Sequence, residues 1–362
     1  MKAVKKMIVL LFILWLIFIG IKLKVSQFYS EASKLHWDHS GLVFKLENAE
    51  KGISERVESL IHSFNEDRWK KDKTLEAFEE KTFTLLDIKI GDSVETVIEI
   101  LGQPARQDVS QYGFQWYIYN EDYTKYVQVG IQQGKVVGLY TNSSLWQSNE
   151  NLQIGTDRKS VETLLGEPLA YIKKGNVIYY LTDQEESHTY LINDYYATIF
   201  YDRHHEDKVT AIQLIEKSTE ESLQGLYGEV NEELREVFER QVFDLANAAR
   251  ARFGLSLLQW EEKAAMAARK HSKDMAVNNY FAHESPHGSG PSDRIEREGV
   301  SWRKSGENIA AGQTSAIFAH ENWMNSLGHR ENILGDFEKL GVGVYFGGEY
   351  HIYYTQEFYT PR

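Results

Sequence analysis

The most apolar stretch of the chain is its first. No residue from Met7 to Ile21 is charged, with Lys2, Lys5 and Lys6 before the run and Lys22 and Lys24 after it. A basic start and an apolar middle read as a signal sequence or signal-anchor. The following GIKLKVSQFYS contains no small-x-small cleavage site. Leu23 and Val25, with snorkelling lysines, bring the run close to the roughly 20 residues that span a bilayer. We therefore expect a single-pass transmembrane segment over residues 1–25. The positive-inside rule puts Lys2–Lys6 in the cytoplasm and the bulk of the chain outside; secretion after cleavage is the alternative.

Residues 26–81 read as a charged linker with helical pieces, because Ile53, Val57, Leu60, Ile61 and Phe64 recur at helical spacing. Over 82–216 the pattern changes to a duplication. Ile90-Gly91, Val97, Leu101-Gly102 and Pro104 return 64 residues on as Ile154-Gly155, Val161, Leu165-Gly166 and Pro168. The copies cover about 86–146 and 150–215. Each predicts a short helix stopped by glycine and proline, then alternating, aromatic strands. Those strands are Gln115–Tyr119, Tyr126–Ile131 and Lys135–Tyr140, then Val177–Leu181, Thr189–Ile192, Ala197–Tyr201 and Val209–Ile215. Trp116, Tyr117, Tyr119, Tyr126, Tyr179 and Tyr180 read as sheet core, and His204-His205 as a solvated turn.

A polar stretch, Lys217–Glu229, leads to a last segment, 230–362, that opens with helical periodicity. Val237, Val242, Leu245 and Ala249 mark one helix ending at Gly254. Trp260, Ala264, Ala268, His271 and Met275 mark a second, ending at Asn278-Asn279. A third is predicted from Ala316 to Leu327, capped by Ser315 and stopped by Gly328. Gly341–Phe346 and His351–Phe358 alternate about Gly347-Gly348 as a hairpin. The fold class is α+β.

Composition narrows the function. A net charge of −13, with no basic run beyond the N-terminus, argues against a nucleic-acid partner. The absence of cysteine excludes a thiol nucleophile, disulfides and Cys-ligated zinc, but not export. Candidate chemistry collects between Phe281 and Leu334, where His283, Glu307 and His329 each sit beside or near glycine or proline. On turns at the mouth of a cleft they would suit a divalent metal or a small acid–base site. His283-Glu284-Ser285-Pro286-His287 spells H-E-x-x-H, but Pro286, Gly288 and Gly290 forbid the helix that motif requires. Glu307 reads as a carboxylate aimed by Gly306, or as a charged turn residue. His329 reads as a ligand or a cap of the preceding helix. His271 reads as a core histidine, and His320-Glu321 lies on the third helix. No nucleophile elbow or phosphate loop is present.

Eight segments then carry a resemblance: LANAARARFGLSLLQW, HSKDM, NYFAHESP, SDRIEREG, GENIAAG, WMNSLGHRENIL, LGVGV and YTQEF. Together they resemble the CAP superfamily, also called SCP, in its bacterial branch. The 64-residue repeat resembles the N-terminal domain often attached to bacterial CAP domains. The resemblance implies an α-β-α sandwich with a central cleft, lined in many members by two histidines and two glutamates, some of which bind a divalent metal. By motif, His283 and His329 match the histidines and Glu307 the first glutamate; the second falls near Ser326, where this chain departs from the pattern. Zinc or another divalent cation held by His283, Glu307 and His329 is thus an expectation. The leading functional expectation is a membrane-anchored, cell-surface module binding a lipid, peptide or cell-wall component. A metal-assisted hydrolase and a partner-binding protein with a vestigial cleft are the alternatives.

Overall fold

In this computed structural model the described residues are 82–149, 151–182 and 185–362. The expected membrane segment and linker lie outside them; among the described residues no helix is long and apolar enough to cross a membrane.

The duplication builds one sheet. Each copy opens with a helix, α1 (Val94–Leu101) and α2 (Arg158–Leu165), whose caps Ser93 and Asp157 accept from the Thr96 and Ser160 amides. The first copy supplies β1 (Phe83–Leu85), β2 (Arg106–Val109), β3 (Gln115–Tyr119), β4 (Val127–Gln132), β5 (Lys135–Thr141) and β6 (Trp146–Ser148). The second supplies β7 (Tyr171–Lys174), β8 (Val177–Tyr180), β9 (Ser187–Ile192), β10 (Tyr195–Asp202) and β11 (Lys208–Glu216). Seven of these join in the order β2-β3-β4-β5-β11-β10-β9, so the copies meet where β5 pairs antiparallel with β11. Both faces of this sheet are covered. Val136 and Leu139 of β5 join the core under α1 and α2, while Val137 and Tyr140 turn to a second core shared with the C-terminal lobe. That is why these strands read as nearly continuous apolar runs.

Trp116 and Tyr126 are buried as expected. Tyr179 and Tyr180 are not sheet core. They sit on the separate β7–β8 hairpin, where Tyr180 is 73% exposed.

After α3 (Lys217–Ser222), the C-terminal lobe is formed by α4 (Glu232–Arg252), β12 (Gln259–Trp260), α5 (Glu262–Asn278), α6 (Pro291–Arg297), β13 (Trp302–Ala311), α7 (Ala316–Asn325), α8 (Leu327–Ile333), β14 (Lys339–Phe346) and β15 (Ile352–Pro361). The sheet runs β12-β14-β15-β13. One face packs on α4, α7 and α8 through Val342, Val344, Tyr354 and Phe358. The other packs on α5 and α6 through Tyr353 and Tyr359. This is an α-β-α sandwich. Its tightest layer contact explains both the alanines of α5 and the glycines of LGVGV: a Cβ on Gly343 would lie 2.0 Å from the Arg269 nitrogen.

Two expectations about local structure change. The third helix does not run to Leu327 and stop at Gly328; α7 ends at Asn325, Ser326 turns the chain, and α8 begins at once with Gly328 inside it. Glu307 is not on a turn. It sits mid-way along the ten-residue strand β13, and Gly306 serves close packing, since a Cβ there would meet Asn332 Oδ1 at 2.7 Å and Phe337 at 2.9 Å.

Candidate functional site: a buried acid pair beneath a half-exposed histidine

β13 is an edge strand, and its alternation sends consecutive side chains into opposite layers. Glu307 turns toward α5 and α6, directly across from Glu357 of β15. Asn308 turns toward α8, donating to the His329 carbonyl at 3.0 Å and to Gln356 Oε1 at 3.0 Å. Asn332 of α8 returns the tie, donating to the Glu307 carbonyl at 3.0 Å and to Asn308 Oδ1 at 2.9 Å.

His283 lies on the 281–290 loop, whose bends and turn confirm that H-E-x-x-H here is not helical. Its side chain is 52% exposed, and Nδ1 meets Glu307 Oε1 at 2.6 Å. The other Glu307 oxygen, Oε2, accepts from Arg294 Nη2. Arg294 also donates from Nη1 to the Ser289 carbonyl and from Nη2 to the His283 carbonyl, both at 2.9 Å, so one guanidinium fixes both loop and carboxylate. His271 of α5 is 1% exposed, with Nε2 3.8 Å from Glu307 Oε2.

The electrostatics follow from burial and pairing. Burial alone would raise the Glu307 value, but the His283 hydrogen bond and the Arg294 charge outweigh it and hold the carboxyl below its ordinary range. Glu357 is fully buried; burial first, then the Glu307 charge, push it well above the carboxylate range. Two carboxyls face to face with one guanidinium do not both ionise readily; Glu307, held by His283 and Arg294, keeps the charge, and burial favours the neutral form of Glu357. Burial lowers His271 to about 4, so it is neutral at pH 7. Burial, and then the nearby His283, also lower His329.

His283 and Glu307 thus come together, with His329 nearby on the other layer and its Nδ1 buried without a hydrogen-bond partner among the described residues. The side chain of Ser326 makes no capping bond at the α7–α8 junction. Among the described residues, no group of three or more His, Asp or Glu side chains is placed to hold a metal. As they stand, these residues do not fit a divalent cation. Both Glu307 oxygens are engaged, and one of the groups engaging them is itself a cation. Chemically the arrangement is an imidazole oriented by an ionised carboxylate. With Nδ1 donating to Glu307, Nε2 is left as an acceptor or base.

Arg294 and Glu357 had not been singled out as site residues. A carboxylate in the interior of YTQEF, on a strand flanked by aromatic residues, was the available signal, because a buried acid demands a partner.

Comparison with known proteins agrees with this two-lobe architecture. Residues 90–226 match the family described as CAP-associated N-terminal, and residues 243–358 match the cysteine-rich secretory protein family, CAP. The uncharacterized membrane protein YlbC of Bacillus subtilis (strain 168) is 32% identical over 289 residues, 74% of this chain and 82% of that protein. The chain belongs to the CAP family. Its CAP-associated domain and CAP domain together resemble an extracellular protein containing a SCP domain from Bacillus anthracis str. Ames. The two are 31% identical with a TM-score of 0.67, over 80% of this chain and 99% of that one. The uncharacterized protein YkwD of Bacillus subtilis (strain 168) is 42% identical over 122 residues, 33% of this chain and 46% of that protein. A cysteine-rich secretory protein from Staphylococcus aureus subsp. aureus Mu50 shares the fold at 16% identity and a TM-score of 0.60, over 75% of this chain and 93% of that one.

Proposed function

We propose that this CAP protein is a cell-surface ligand-binding module, anchored by its N-terminal apolar segment. Its cleft, at His283, takes a lipid, peptide or cell-wall component. The observation that carries the reading is the saturation of Glu307: His283 takes one oxygen and Arg294 the other. A carboxylate so engaged is a fixed anchor for an imidazole rather than a free acid or base. The position where a second cleft acid was expected holds Ser326, and the acid that does face Glu307, Glu357, is fully buried, so no second exposed carboxylate stands beside His283 for acid–base work. Export is supported by the names of its relatives, one a membrane protein and one an extracellular protein.

The test uses the full chain in nanodiscs, titrated with muropeptides, with phospholipid vesicles and with an apolar tripeptide. The expected result is saturable binding of one class, lost in His283→Ala, with the ligand recovered intact. Binding that is indifferent to His283→Ala would remove the cleft from the account.

A further inference from the structure

A second cavity lies away from the His283–Glu307 cleft, between the second repeat and α7 of the CAP lobe. It encloses about 430 Å³ and shares no lining residue with the cleft site. Its apolar walls include Tyr179 and Tyr180 of the β7–β8 hairpin, Phe200 of β10 and Phe318 of α7. The last two meet edge to face at 5.2 Å between centroids. The hairpin is fastened from inside. Lys174, 8% exposed, bonds Glu220 at 2.6 Å and the Gly225 carbonyl at 3.2 Å, and Glu220 also accepts from the Tyr112 hydroxyl at 2.8 Å. The cation in the wall is therefore already neutralised.

The opposite end is rich in acceptors. Glu321 of α7 is 4% exposed, and its hydrogen bond among the described residues is from the Tyr140 hydroxyl at 3.0 Å. Gln313 Nε2 donates to Asn322 Oδ1 at 3.4 Å, and Asn322 Nδ2 donates to Glu186 Oε2 at 3.2 Å. That direction of donation leaves Gln313 Oε1 shielded from solvent with no donor among the described residues. A buried acceptor without a donor costs free energy, and a buried carboxylate held by one neutral hydroxyl costs more. Arg252 acts on Glu321 through its charge alone, so among the described residues no positively charged hydrogen-bond donor reaches this carboxylate.

We infer that this interlobe cavity is a binding site for a small amphipathic primary amine. Its ammonium sits against Glu321 and Gln313, and its apolar or aromatic body against Tyr179, Phe200 and Phe318. An ammonium supplies three donors and a compensating charge, and the ring faces favour a nearby cation. A carboxylate in the same place would confront Glu321 and Glu186. A neutral alcohol would satisfy Gln313 but bring Glu321 no charged donor. The volume falls within the ~300–1,000 Å³ typical of small-molecule sites. The site is separate from the proposed cleft function and stands without it.

The probe is 4-phenylbutylamine, compared with 4-phenylbutan-1-ol and 4-phenylbutanoate. Each is titrated by calorimetry into the full chain in nanodiscs, with empty nanodiscs subtracted. At about pH 8.5 the amine remains protonated, while Glu321, raised by burial to about 7, is ionised. The expected result is one-to-one binding of the amine, about tenfold or more tighter than the alcohol (~1.4 kcal/mol), with no binding of the carboxylate. Glu321→Gln should weaken the amine by about tenfold and leave the alcohol unchanged. Gln313→Leu, on a loop outside the core, should weaken the amine independently, and the unfolding midpoint of each variant shows that it is folded. His283→Ala should leave amine binding intact. Equal affinities for amine and alcohol would overturn the assignment. So would no saturable amine binding, or amine binding unchanged in both cavity variants.

Discussion

Replacing Glu357 with glutamine separates the proton on the buried acid pair from everything else that titrates. In the unfolded chain a glutamate has a pKa of ~4.3, whereas in the fold Glu357 lies well above that range because it is buried beside Glu307. Between those two values the folded protein carries one more proton than the unfolded chain. Stability therefore decreases as pH rises, by at most ~1.4 kcal/mol per pH unit for one proton. The contribution is complete below the unfolded value and is lost as pH climbs through the folded one. Glutamine keeps the shape of the side chain with no proton to take up, and its oxygen can face Arg294, whose Nε lies 3.6 Å from Glu357 Oε1. Glu357→Gln should match the parent near pH 5 and gain on it as pH rises, approaching ~1.4 kcal/mol per unit. Other shifted groups, such as Glu321 at about 7 and the lowered His329, are common to both proteins and cancel in the difference. Urea unfolding followed by tryptophan fluorescence, at half-unit steps from about pH 5 to 8, measures this directly. Parallel profiles, or a glutamine variant several kcal/mol less stable at every pH, would mean that Glu357 is ionised in the fold.

Three further outcomes follow from the packing. Arg294→Met leaves buried Glu307 without its cation and should cost about 3–5 kcal/mol, read from the same urea curves; a loss under about 1 kcal/mol would show that the pair is solvated. Gly343→Val places a Cβ where α5 has no room, 2.0 Å from the Arg269 nitrogen. No cooperatively folded protein should be recovered, and a normal melting transition by circular dichroism would contradict the layer contact. Asp244 of α4, 2% exposed, accepts from Arg106 at 2.7 Å, Asn120 at 3.0 Å and Tyr123 at 2.7 Å across the lobe boundary. Asp244→Ala should cost about 3–5 kcal/mol and speed proteolysis within 223–231; an unchanged digestion pattern would argue that the shared apolar core alone holds the lobes.

Much of this was legible because period-two alternation and repeated turn signals are local. Gln115–Tyr119 is a strand at the predicted bounds, and the 64-residue repeat explains two capped helices and one continuous sheet. Asn279, left-handed at the end of α5, and Ser315, capping α7, follow the same logic. β13 was harder to read. Its stretch WRKSGENIAA is polar at its start, because an edge strand exposes that part, and Gly306 suggested a turn when the cause was Asn332 and Phe337 overhead. Ser326 ending α7 is a tertiary effect that a run of helix-forming residues does not reveal. His283 and Glu307 were found from motif context. Arg294 and Glu357 escaped because their roles depend on strand register and on one helix packing over another. Tyr179 and Tyr180 alternate like core residues although their hairpin stands apart from the main sheet.

In the proposed function the cleft binds its ligand through His283 and releases it intact. The most direct measurement is calorimetric titration of the full chain in nanodiscs with purified muropeptides and membrane phospholipids, with the recovered ligand analysed by mass spectrometry. The account requires saturable binding of one of these, abolished by His283→Ala, with the ligand mass unchanged after prolonged incubation. A hydrolysed ligand, or full binding by the His283→Ala variant, would contradict it.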